Sequence, residues 1–524
     1  MSEHQPSYTP PPIENWAIAK IVIAQAHIHT DKTAIEFTDG ACWSYSDCLQ
    51  NALHAAGQFE RLGIKRGDAV ALMIDEPEAF CRLWLGLSML GATTVAINTS
   101  MQGAPLKHQL VTASVAYTFT DSGNHPIVAN LQHTSALFKV DDIICSDHPA
   151  LPVDQVSTSN FTDTACVMFT SGTSGPSKGV VMPEAHCVLF AIGTIENYRL
   201  TPDDCFYICL PLFHANGLFM QLLACMLCGA KAVVRPRFSA SQWLNDIRHY
   251  NATHTNMLGA VASFIVAQPA TELDTQHKLR VIGAAPLPAA AETAFRTRFA
   301  VPSVLPLYGM TEVNIPLYGS LNESAPGTCG KLYSRYFEVE IRDPETDEPV
   351  TQGNIGEIMV RPKQPYGFMS SYAGMPAKTL EAWRNFWFHT GDAGFINEQQ
   401  QFVFIDRIKD CIRRRGENIS SYEVEQAFLN VDGVAEAAAY AVPADGGDGM
   451  EDEVMVAVML SESNTHTLAE IIAAATPNLA KFAVPRYLRE MADLPKTPTG
   501  KIRKAVLREE GITVDTLDSF SGTR

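Results

Sequence analysis

A short loop rich in glycine, serine and threonine carries the first chemistry of this sequence. It runs from Phe169 to Gly179, reads FTSGTSGPSKG, and lies between two short apolar runs. Small residues let backbone N–H groups approach an anion, hydroxyl groups donate hydrogen bonds, and Lys178 adds a point charge. A Walker A loop has Gly before the lysine and Ser or Thr after it, which this loop does not. The loop therefore indicates phosphate binding, with a Ser/Gly-rich hairpin as the alternative.

Three further segments place polar side chains where ligands commonly bind. His214 lies in an apolar loop after a predicted strand, where a satisfied core histidine is the commoner explanation. Gly283–Pro286 ends another predicted strand, and α/β sheets bind ligands at such ends. Tyr308–Glu312 joins an aromatic ring, suited to stacking on a base, with Thr and Glu oxygens suited to Mg²⁺. A turn followed by a surface glutamate is the alternative for this segment.

Charged residues mark three places later in the chain. Asp392 lies in a tight turn, where its carboxylate would accept hydrogen bonds from ribose hydroxyls or simply complete the turn. The charges of Asp406–Asp410, with the basic run at Arg413–Arg415, form a local cluster in an acidic protein. A solvated linker is the usual explanation for such a cluster. Lys501 follows Thr499-Gly500, and by itself it reads as a solubilising lysine.

The elements around these residues indicate an α/β fold. A predicted strand near Ala69–Met73, a helix over Ala79–Leu90 and a strand from Gly91 to Asn98 form a βαβ unit, which predicts a parallel sheet. The pattern recurs between Asp204 and Arg235 and again between His254 and Ile282. The stretch from residue 330 to 404 is predicted to be antiparallel or barrel-like. We therefore expect most of the chain before residue 405 to be α/β.

Domain boundaries are predicted at the charged cluster. Residues 1–405 would form one large domain and residues 411–524 a second, with the charged residues 406–410 between them. In the second domain we predict a helix near Ser421–Leu429, strands near Val434–Val442 and Val454–Leu460, and a helix over about Leu468–Leu479. About one hundred residues suffice for such an α+β unit to fold.

Composition restricts the partners and the compartment. The 524 residues carry a formal net charge of −18, which argues against nucleic acid as a partner. Twelve cysteines are scattered, and the C-x-x-C pair Cys225/Cys228 has apolar neighbours typical of core thiols. Residues 1–12 are polar and proline-rich, and the most apolar stretch, Gly217–Cys228, is too short to span a membrane. A cytoplasmic location without an integral membrane segment is expected.

The order of these motifs resembles the acyl-adenylate-forming superfamily of acyl-CoA synthetases, peptide-synthetase adenylation domains and luciferase. The resemblance extends from the first helices to Lys504 and is strongest to stand-alone acid–CoA ligases of the crotonobetaine/carnitine–CoA ligase type. It implies a large N-terminal domain of two doubly wound subdomains plus a distorted β-barrel, with a small mobile α+β C-terminal domain. It also implies that a carboxylate and Mg-ATP give acyl-AMP and pyrophosphate, and that the thiol of coenzyme A (CoA) then displaces AMP.

The resemblance implies roles for the motif residues. The catalytic residues would be Lys501, which bridges the carboxylate and α-phosphate, His214, which lies beside the carboxylate, and Glu312. Mg²⁺ would be held by Glu312 and Thr170. The residues expected to bind ATP or AMP are Thr170, Ser171, Gly172, Thr173, Ser174, Gly175, Lys178, Gly283, Ala284, Ala285, Pro286, Tyr308, Gly309, Met310, Thr311, Asp392 and Arg407.

The resemblance also implies that residues 1–405 bind ATP and the acyl group in a defined acyl pocket. Residues 406–410 would be the hinge about which the C-terminal domain, residues 411–524, moves. The pocket would be lined by Asn216, Gly217, Leu258, Gly259 and Val313. Lys409 would be the hinge residue, and Gly416 and Glu417 would line the tunnel for CoA.

Several questions stay open at this stage. The acid is a betaine, a fatty acid or an aromatic acid, and the acceptor is free CoA or a carrier protein. A catalytically inactive nucleotide-binding homologue is a further alternative, and a homodimer is one possible assembly. Two departures from the family pattern stand out. The adenine loop has Ala where many relatives carry a second glycine, and Phe386 replaces a turn glycine before Asp392.

Overall fold

The structure, a computed structural model, covers the chain from residue 8 to residue 519 with short gaps. It describes residues 8–131, 133–144, 149–157, 159–170, 177–408, 410, 412–414, 417–443, 452–462, 464–479, 481–497 and 500–519. None of the helices in these ranges combines the length and the apolar composition needed to cross a membrane.

Helices and strands alternate through most of these ranges. The α-helices are α1 (Ile18–His29), α2 (Tyr45–Arg61), α3 (Pro77–Leu90), α4 (Gly103–Thr112), α5 (His125–Ala129), α6 (Val140–Ile144), α7 (Glu184–Tyr198), α8 (Ala224–Cys228), α9 (Ala240–His249), α10 (Gly259–Val266), α11 (Ala289–Thr297), α12 (Pro376–Ala382), α13 (Ser421–Leu429), α14 (Leu468–Ala475) and α15 (Lys504–Glu510). Short 3₁₀ turns occur at Ile13–Asn15, Val153–Gln155, Arg384–Phe386, Thr476–Asn478 and Lys481–Ala483, and a π-helix spans Asn216–Leu223.

The strands, in chain order, are β1 (Thr33–Phe37), β2 (Cys42–Ser44), β3 (Ala69–Met73), β4 (Thr93–Ala96), β5 (Tyr117–Thr120), β6 (Ala136–Lys139), β7 (Thr164–Thr170), β8 (Lys178–Pro183), β9 (Cys205–Ile208), β10 (Lys231–Val234), β11 (His254–Leu258), β12 (Val281–Ala285), β13 (Ser303–Met310), β14 (Asn314–Tyr318), β15 (Lys331–Leu332), β16 (Phe337–Arg342), β17 (Gly356–Pro362), β18 (Ser371–Tyr372), β19 (Phe388–Ile396), β20 (Phe402–Arg407), β21 (Ile412–Arg414), β22 (Glu417–Ile419), β23 (Val434–Pro443), β24 (Asp452–Leu460), β25 (Tyr487–Glu490) and β26 (Leu517–Asp518).

Two mainly parallel sheets dominate the N-terminal part. One has the order β15-β14-β13-β12-β11-β9-β10-β1-β2, and the other has the order β18-β8-β7-β4-β3-β5-β6. The predicted βαβ unit is present, because β3 and β4 pair in parallel on either side of α3. The chain between β7 and β8 closes an antiparallel hairpin, as the apolar runs around the phosphate loop predict.

The two sheets share a central helical layer. Helix α7 lies in it, and nearly all of its side chains are buried in the main core together with residues of both sheets. Separate apolar clusters cover the outer faces, one around Trp243 and Phe295 and the other around Leu106 and Leu110. Fully burying a large apolar side chain contributes roughly 1.5–3 kcal/mol, so this layering holds both sheets rigidly beneath the loops at their strand ends.

The predicted antiparallel part is a four-stranded sheet in the order β16-β17-β19-β20. The C-terminal part has its own sheet, β23-β24-β25-β26, with an apolar cluster on each face. Helix α13 spans Ser421–Leu429, the residues the sequence predicts, and the Ser420 hydroxyl caps it by accepting from the Glu423 N–H at 3.2 Å. The α/β fold with a small α+β C-terminal domain is therefore confirmed.

Phe386 adopts a backbone conformation that suits glycine. Its φ is +63°, the preceding Asn385 has φ +50°, and the phenyl ring is 85% exposed. A bulky side chain in the left-handed region costs roughly 1–2 kcal/mol, and this ring buries little surface in return. The turn before Asp392 therefore keeps its shape at a local cost.

Replacing Phe386 with glycine is expected to raise the melting temperature by roughly one to three degrees, because relief of the strained φ exceeds the added backbone entropy of the unfolded chain. Differential scanning calorimetry measures the shift. Leu380→Gly is the matched control: Leu380 is 74% exposed within α12, so glycine there lowers the melting temperature. A lower melting temperature for Phe386→Gly would contradict the assignment of strain.

Candidate active site

Asp392 forms the best-defined corner of the site. It lies on β19 opposite Arg407 of β20, and its carboxylate is 4% exposed. The Tyr308 hydroxyl, from the end of β13, donates to Asp392 Oδ2 at 2.6 Å, and Arg407 Nε lies 2.9 Å from Oδ1 as an ion-pair contact. Three residues predicted from separate motifs therefore meet at one point. Burial raises the pKa of Asp392 to about 6, although the Arg407 charge and the Tyr308 hydroxyl act to lower it.

Glu312 is the second buried carboxylate of the site, at 5% exposure. Its Oε1 accepts from the Tyr372 hydroxyl at 3.1 Å and from the Thr170 hydroxyl at 3.4 Å. The Lys178 ammonium group lies 4.6 Å from the centroid of the Tyr372 ring. The phosphate loop and the Tyr308–Glu312 segment are thus neighbours, and Tyr372 connects them.

Lys501 reaches this site from the C-terminal part of the chain. Lys501 is an exposed residue, but partial desolvation of its ammonium group lowers its pKa, as does the charge of Arg407, whereas Asp392 and Glu312 raise it. Burial, with the Lys501 charge close by, lowers the pKa of His214 to about 4. His214 is therefore a neutral imidazole at pH 7. The site unites one lysine, one arginine and two carboxylates from segments almost two hundred residues apart.

Two positioning residues were not predicted from the sequence. His186 on α7 lies with Nε2 2.8 Å from the Thr311 carbonyl oxygen and Nδ1 2.8 Å from the Gly367 carbonyl oxygen. Glu357 on β17 accepts from the Gly391 N–H at 2.8 Å and contacts His389 Nδ1 at 2.9 Å. Both fix the loops that carry Glu312 and Asp392. His186 and Glu357 lie far from those loops in the sequence, so no residue spacing indicated that they act on them.

The charged cluster at Asp406 is not the solvated linker that its charge pattern favours. Asp406 is 6% exposed, and its Oδ2 accepts from the Ser421 N–H at 2.8 Å and also from the Ser421 hydroxyl. Lys504 contacts the Ser421 hydroxyl as well, and it pairs with Glu425 at 2.7 Å. This network joins the first residue of the predicted hinge to α13 and α15, and α15 begins three residues beyond Lys501.

Several predicted residues lie outside the described ranges. These are Ser171, Gly172, Thr173, Ser174 and Gly175 of the phosphate loop, the hinge residue Lys409, and Gly416. Glu417 is described by its backbone, which pairs with that of Arg414 in the β21–β22 hairpin.

The predicted adenine wall lies at the end of β12. A Cβ on Gly283 would come within 1.7 Å of the Tyr198 hydroxyl, so glycine is required there by packing. Ala284 is buried, Ala285 is half-buried, and Pro286 follows them at the strand end. Gly309 and Met310 complete β13 beside Tyr308, and a Cβ on Gly309 would meet the Asn314 carbonyl oxygen at 2.1 Å.

The predicted acyl-pocket residues differ in accessibility. Leu258 is 48% exposed, Asn216 is half-buried, and Val313 has no accessible surface and packs in the main core. Gly217 and Gly259 both allow close backbone contacts: a Cβ would lie 2.6 Å from the Pro211 carbonyl oxygen in the first case and 2.7 Å from that of Pro286 in the second. Because its side chain is fully buried, Val313 forms no accessible wall in this conformation.

Comparison with known proteins gives consistent matches over the whole chain. A family model described as AMP-binding enzyme matches residues 22–373, and one described as AMP-binding enzyme C-terminal domain matches residues 423–501. A crotonobetaine/carnitine–CoA ligase of Salmonella paratyphi B is 30% identical over 515 residues, covering 92% of this chain and 97% of that protein.

Solved structures with the same fold include two at 24% identity. ATP-bound MatB from Rhodopseudomonas palustris superposes with a TM-score of 0.84, covering 94% of this chain and 98% of that one. O-succinylbenzoate CoA synthetase from Bacillus subtilis in complex with AMP superposes with a TM-score of 0.83, covering 96% of this chain and 98% of that one. With the family matches and the clustered motif residues, these findings establish that the chain belongs to the AMP-binding, acyl-adenylate-forming enzyme family and is of the acid–CoA ligase type.

Proposed function

We propose that the protein activates a carboxylic acid with ATP and transfers the acyl group to CoA, releasing AMP and pyrophosphate. In the first half-reaction a carboxylate oxygen bonds to the α-phosphorus of ATP, and the bond to pyrophosphate breaks. In the second, the CoA sulfur bonds to the acyl carbon, AMP leaves with the electron pair, and the thiol proton passes to solvent. A carboxylate needs this activation because oxide is a very poor leaving group.

The observation that carries the proposal is the direct contact of Asp392 with Tyr308 and Arg407, with the Lys501 charge near enough to be influenced by this group. Lys501 comes from the C-terminal part, yet its ammonium group lies close enough to these charges for them to shift its pKa. A cation in a desolvated site stabilises negative charge that develops in a transition state far better than one in water. We assign Lys501 the α-phosphate and carboxylate oxygens, and neutral His214 the space beside the carboxylate.

The nucleotide is assigned to the Asp392 corner and the phosphate loop. Asp392 and Arg407 would bind the ribose hydroxyls, with Tyr308 and Gly283–Pro286 on either side of adenine. Residues Thr170–Lys178 would wrap the β- and γ-phosphates, and Thr311 would contact the α-phosphate. Tyr308 and Arg407 already hold the Asp392 carboxylate at 2.6 Å and 2.9 Å, so its orientation is set before the ribose arrives.

Mg²⁺ fits the oxygen pair of Glu312 and Thr170. The two side chains lie 3.4 Å apart, and hydroxyl and carboxylate oxygens are hard donors of the kind Mg²⁺ selects. When bound, Mg²⁺ neutralises phosphate charge and orients the leaving pyrophosphate. The Tyr372 hydroxyl donates to Glu312 Oε1 at 3.1 Å and so fixes the orientation of the carboxylate that would hold Mg²⁺.

For the second half-reaction we propose that the C-terminal domain, residues 411–524, rotates about the hinge at residues 406–410. Lys409 would supply the hinge torsions, Lys501 would leave the site, and Gly416 and Glu417 would line the tunnel for CoA. Lids and domains that move in this way commonly separate two chemical steps. The contact of Ser421 with Asp406 crosses the hinge, so rotation requires it to break.

Two further assignments complete the proposal. The ten cysteines that the structure describes are all free, which suits a reducing cytoplasm. A homodimer is proposed as the assembly, and sedimentation velocity tests it. The alternative acceptor, a carrier protein, predicts that CoA alone leaves acyl-AMP unconsumed.

A screen of carboxylic acids tests the function directly. Purified protein, Mg-ATP and CoA are incubated with each acid of a panel of betaines, fatty acids and aromatic acids, and pyrophosphate, AMP and acyl-CoA are measured. At least one acid is expected to give equal amounts of all three products. Pyrophosphate without acyl-CoA would favour carrier loading. No pyrophosphate with any acid would support the inactive homologue.

The raised pKa of Asp392 predicts a pH-dependent affinity for ATP. Below about pH 6 the carboxyl group gains a proton and loses its charge, so KM for ATP should rise by up to about tenfold per pH unit between pH 6 and pH 5. Initial rates from pH 5 to pH 8 measure this, and Asp392→Asn should give a high, flat KM. The folded state binds the Asp392 proton more tightly than the unfolded state does. The free energy of unfolding should therefore increase as pH falls below about 6. A flat wild-type KM would contradict the assignment.

A further inference from the structure

A hydrogen-bonded chain of amides lies against the predicted acyl pocket. Its first link is Asn256, in the middle of β11, which is fully buried. Asn256 Oδ1 accepts from the backbone N–H of Met257 at 3.1 Å. A backbone N–H is always a donor, so this contact fixes which end of the Asn256 amide is oxygen and which is nitrogen.

The second link orients Asn216. Asn256 Nδ2 donates to Asn216 Oδ1 at 3.0 Å, and Gln221 Nε2 donates to the same oxygen at 2.9 Å. Both acceptor sites of the Asn216 oxygen are therefore occupied, and its Nδ2 group is at the other end of the amide. Nδ2 has no protein partner in the described part of the chain, and it retains accessible surface. Asn216 Nδ2 is thus an available N–H donor, and its orientation is set by Asn256, Met257 and Gln221.

Two buried polar atoms next to this chain also lack partners among the described residues. Gln221 Oε1 accepts no hydrogen bond from the described residues, and the Tyr198 hydroxyl makes none with them. Both side chains are nevertheless fully buried. The Tyr198 hydroxyl and Asn256 Oδ1 both lie against Gly283, on the predicted adenine wall. Buried polar atoms are nearly always paired, so a polar ligand group or a water molecule is expected at this end of the pocket.

The charge around the pocket favours an uncharged group. The three segments predicted to line it, residues 214–220, 258–263 and 309–314, contain Glu312 as their one acidic residue and no lysine or arginine. Glu312 is engaged by Thr170 and Tyr372. A second carboxylate on the acid would therefore meet no cation from these segments, and the free donor of Asn216 calls for an acceptor.

We propose that Asn216 selects acids whose acyl chain carries an uncharged oxygen acceptor, a hydroxyl or keto group, which accepts a hydrogen bond from Asn216 Nδ2. This inference rests on the proposed acid–CoA ligase function. A site built to bond a polar substrate group disfavours the analogue that lacks it, because the site's own polar group is then left unpaired.

Matched acids test the selection. The first pair is 4-oxopentanoate and 4-methylpentanoate, in which a keto oxygen replaces a methyl group of similar size. The second pair is carnitine and γ-butyrobetaine, which differ by one hydroxyl. In acid-dependent pyrophosphate release, kcat/KM for the oxygenated acid should exceed that for its partner by about tenfold or more in at least one pair. Equal values in both pairs would overturn the inference while leaving the ligase function intact. No pyrophosphate with any acid would overturn the ligase function itself.

Asn216→Asp separates a donor from an acceptor at the same place. The aspartate still accepts from Asn256 and Gln221 but offers no N–H, so the preference for the keto acid should vanish while a hydroxyl acid, which can donate, keeps part of its advantage. Asn130→Asp, an exposed residue after α5, is the matched control and should leave both preferences unchanged. Thermal melts of both variants check folding. Persistence of the keto preference in a folded Asn216→Asp protein would overturn the role of Asn216. That result is expected if a buried water molecule, and not the substrate, accepts the hydrogen bond from Asn216 Nδ2.

Discussion

Replacing Lys501 with alanine is expected to slow formation of the acyl-adenylate by roughly a hundred- to a thousandfold. The ammonium group is partly desolvated, and its pKa is shifted by the charges of Arg407, Asp392 and Glu312. In the pentacoordinate transition state the α-phosphate and carboxylate oxygens gain negative charge next to it, and no other lysine is assigned to that point. Acid-dependent pyrophosphate release measures the first half-reaction. Because the proposed domain rotation would take Lys501 out of the site, transfer from supplied acyl-AMP to CoA should stay within a few-fold of wild type.

The matched control for this prediction is Lys496→Ala. Lys496 lies in the same segment, but its ammonium group contacts Glu436 at 2.8 Å and Asp493 at 3.0 Å, away from the site. Its removal should leave both half-reactions unchanged. The lowered pKa of Lys501 also predicts that the alkaline limb of the adenylation rate falls at a lower pH than that of an ordinary lysine. Equal loss of both half-reactions in Lys501→Ala would contradict its assigned role.

Local sequence signals predicted most of the elements that carry the site. The residue pattern predicted α13 near Ser421–Leu429, and the apolar runs around the phosphate loop predicted the pairing of β7 with β8. These features depend on neighbouring residues, whose spacing is visible in the sequence. The π-helix at Asn216–Leu223 was not distinguishable from an α-helix, because its apolar side chains are buried on every side and carry no periodic signal.

Long-range contacts explain what the sequence left out. Tyr372 lies 60 residues from Glu312, and His186 lies 125 residues from Thr311, so no spacing rule connects either pair. The same holds for Asp406, whose charged neighbours favour an exposed linker although a serine after the hinge draws it into the interior. Family resemblance predicted the residues assigned to ligands, whereas the side chains that hold those residues in place became visible only in three dimensions.

Glu312→Gln is expected to slow adenylation by about a hundredfold and to raise the Mg²⁺ concentration needed for half-maximal rate. Glutamine has nearly the same shape, and its Oε1 can still accept from Tyr372 and Thr170, which lie 3.1 Å and 3.4 Å from the native oxygen. The substitution therefore removes the charge and keeps the packing. A neutral amide binds Mg²⁺ much more weakly than a carboxylate does, so the rate loss should shrink as Mg²⁺ rises from 1 to about 50 mM.

Tyr372→Phe is the control that separates charge from position. It removes the 3.1 Å hydrogen bond to Glu312 but leaves the carboxylate, so the Mg²⁺ dependence should stay close to wild type while the rate falls by about tenfold or less. Isothermal titration of Mg-ATP measures binding apart from turnover. If Glu312→Gln loses rate with an unchanged Mg²⁺ dependence, the carboxylate positions the loop and Mg²⁺ lies elsewhere. The carboxylate charge would then act on Lys501, whose pKa Glu312 raises, and the pKa of Lys501 in the variant should fall below that of wild type.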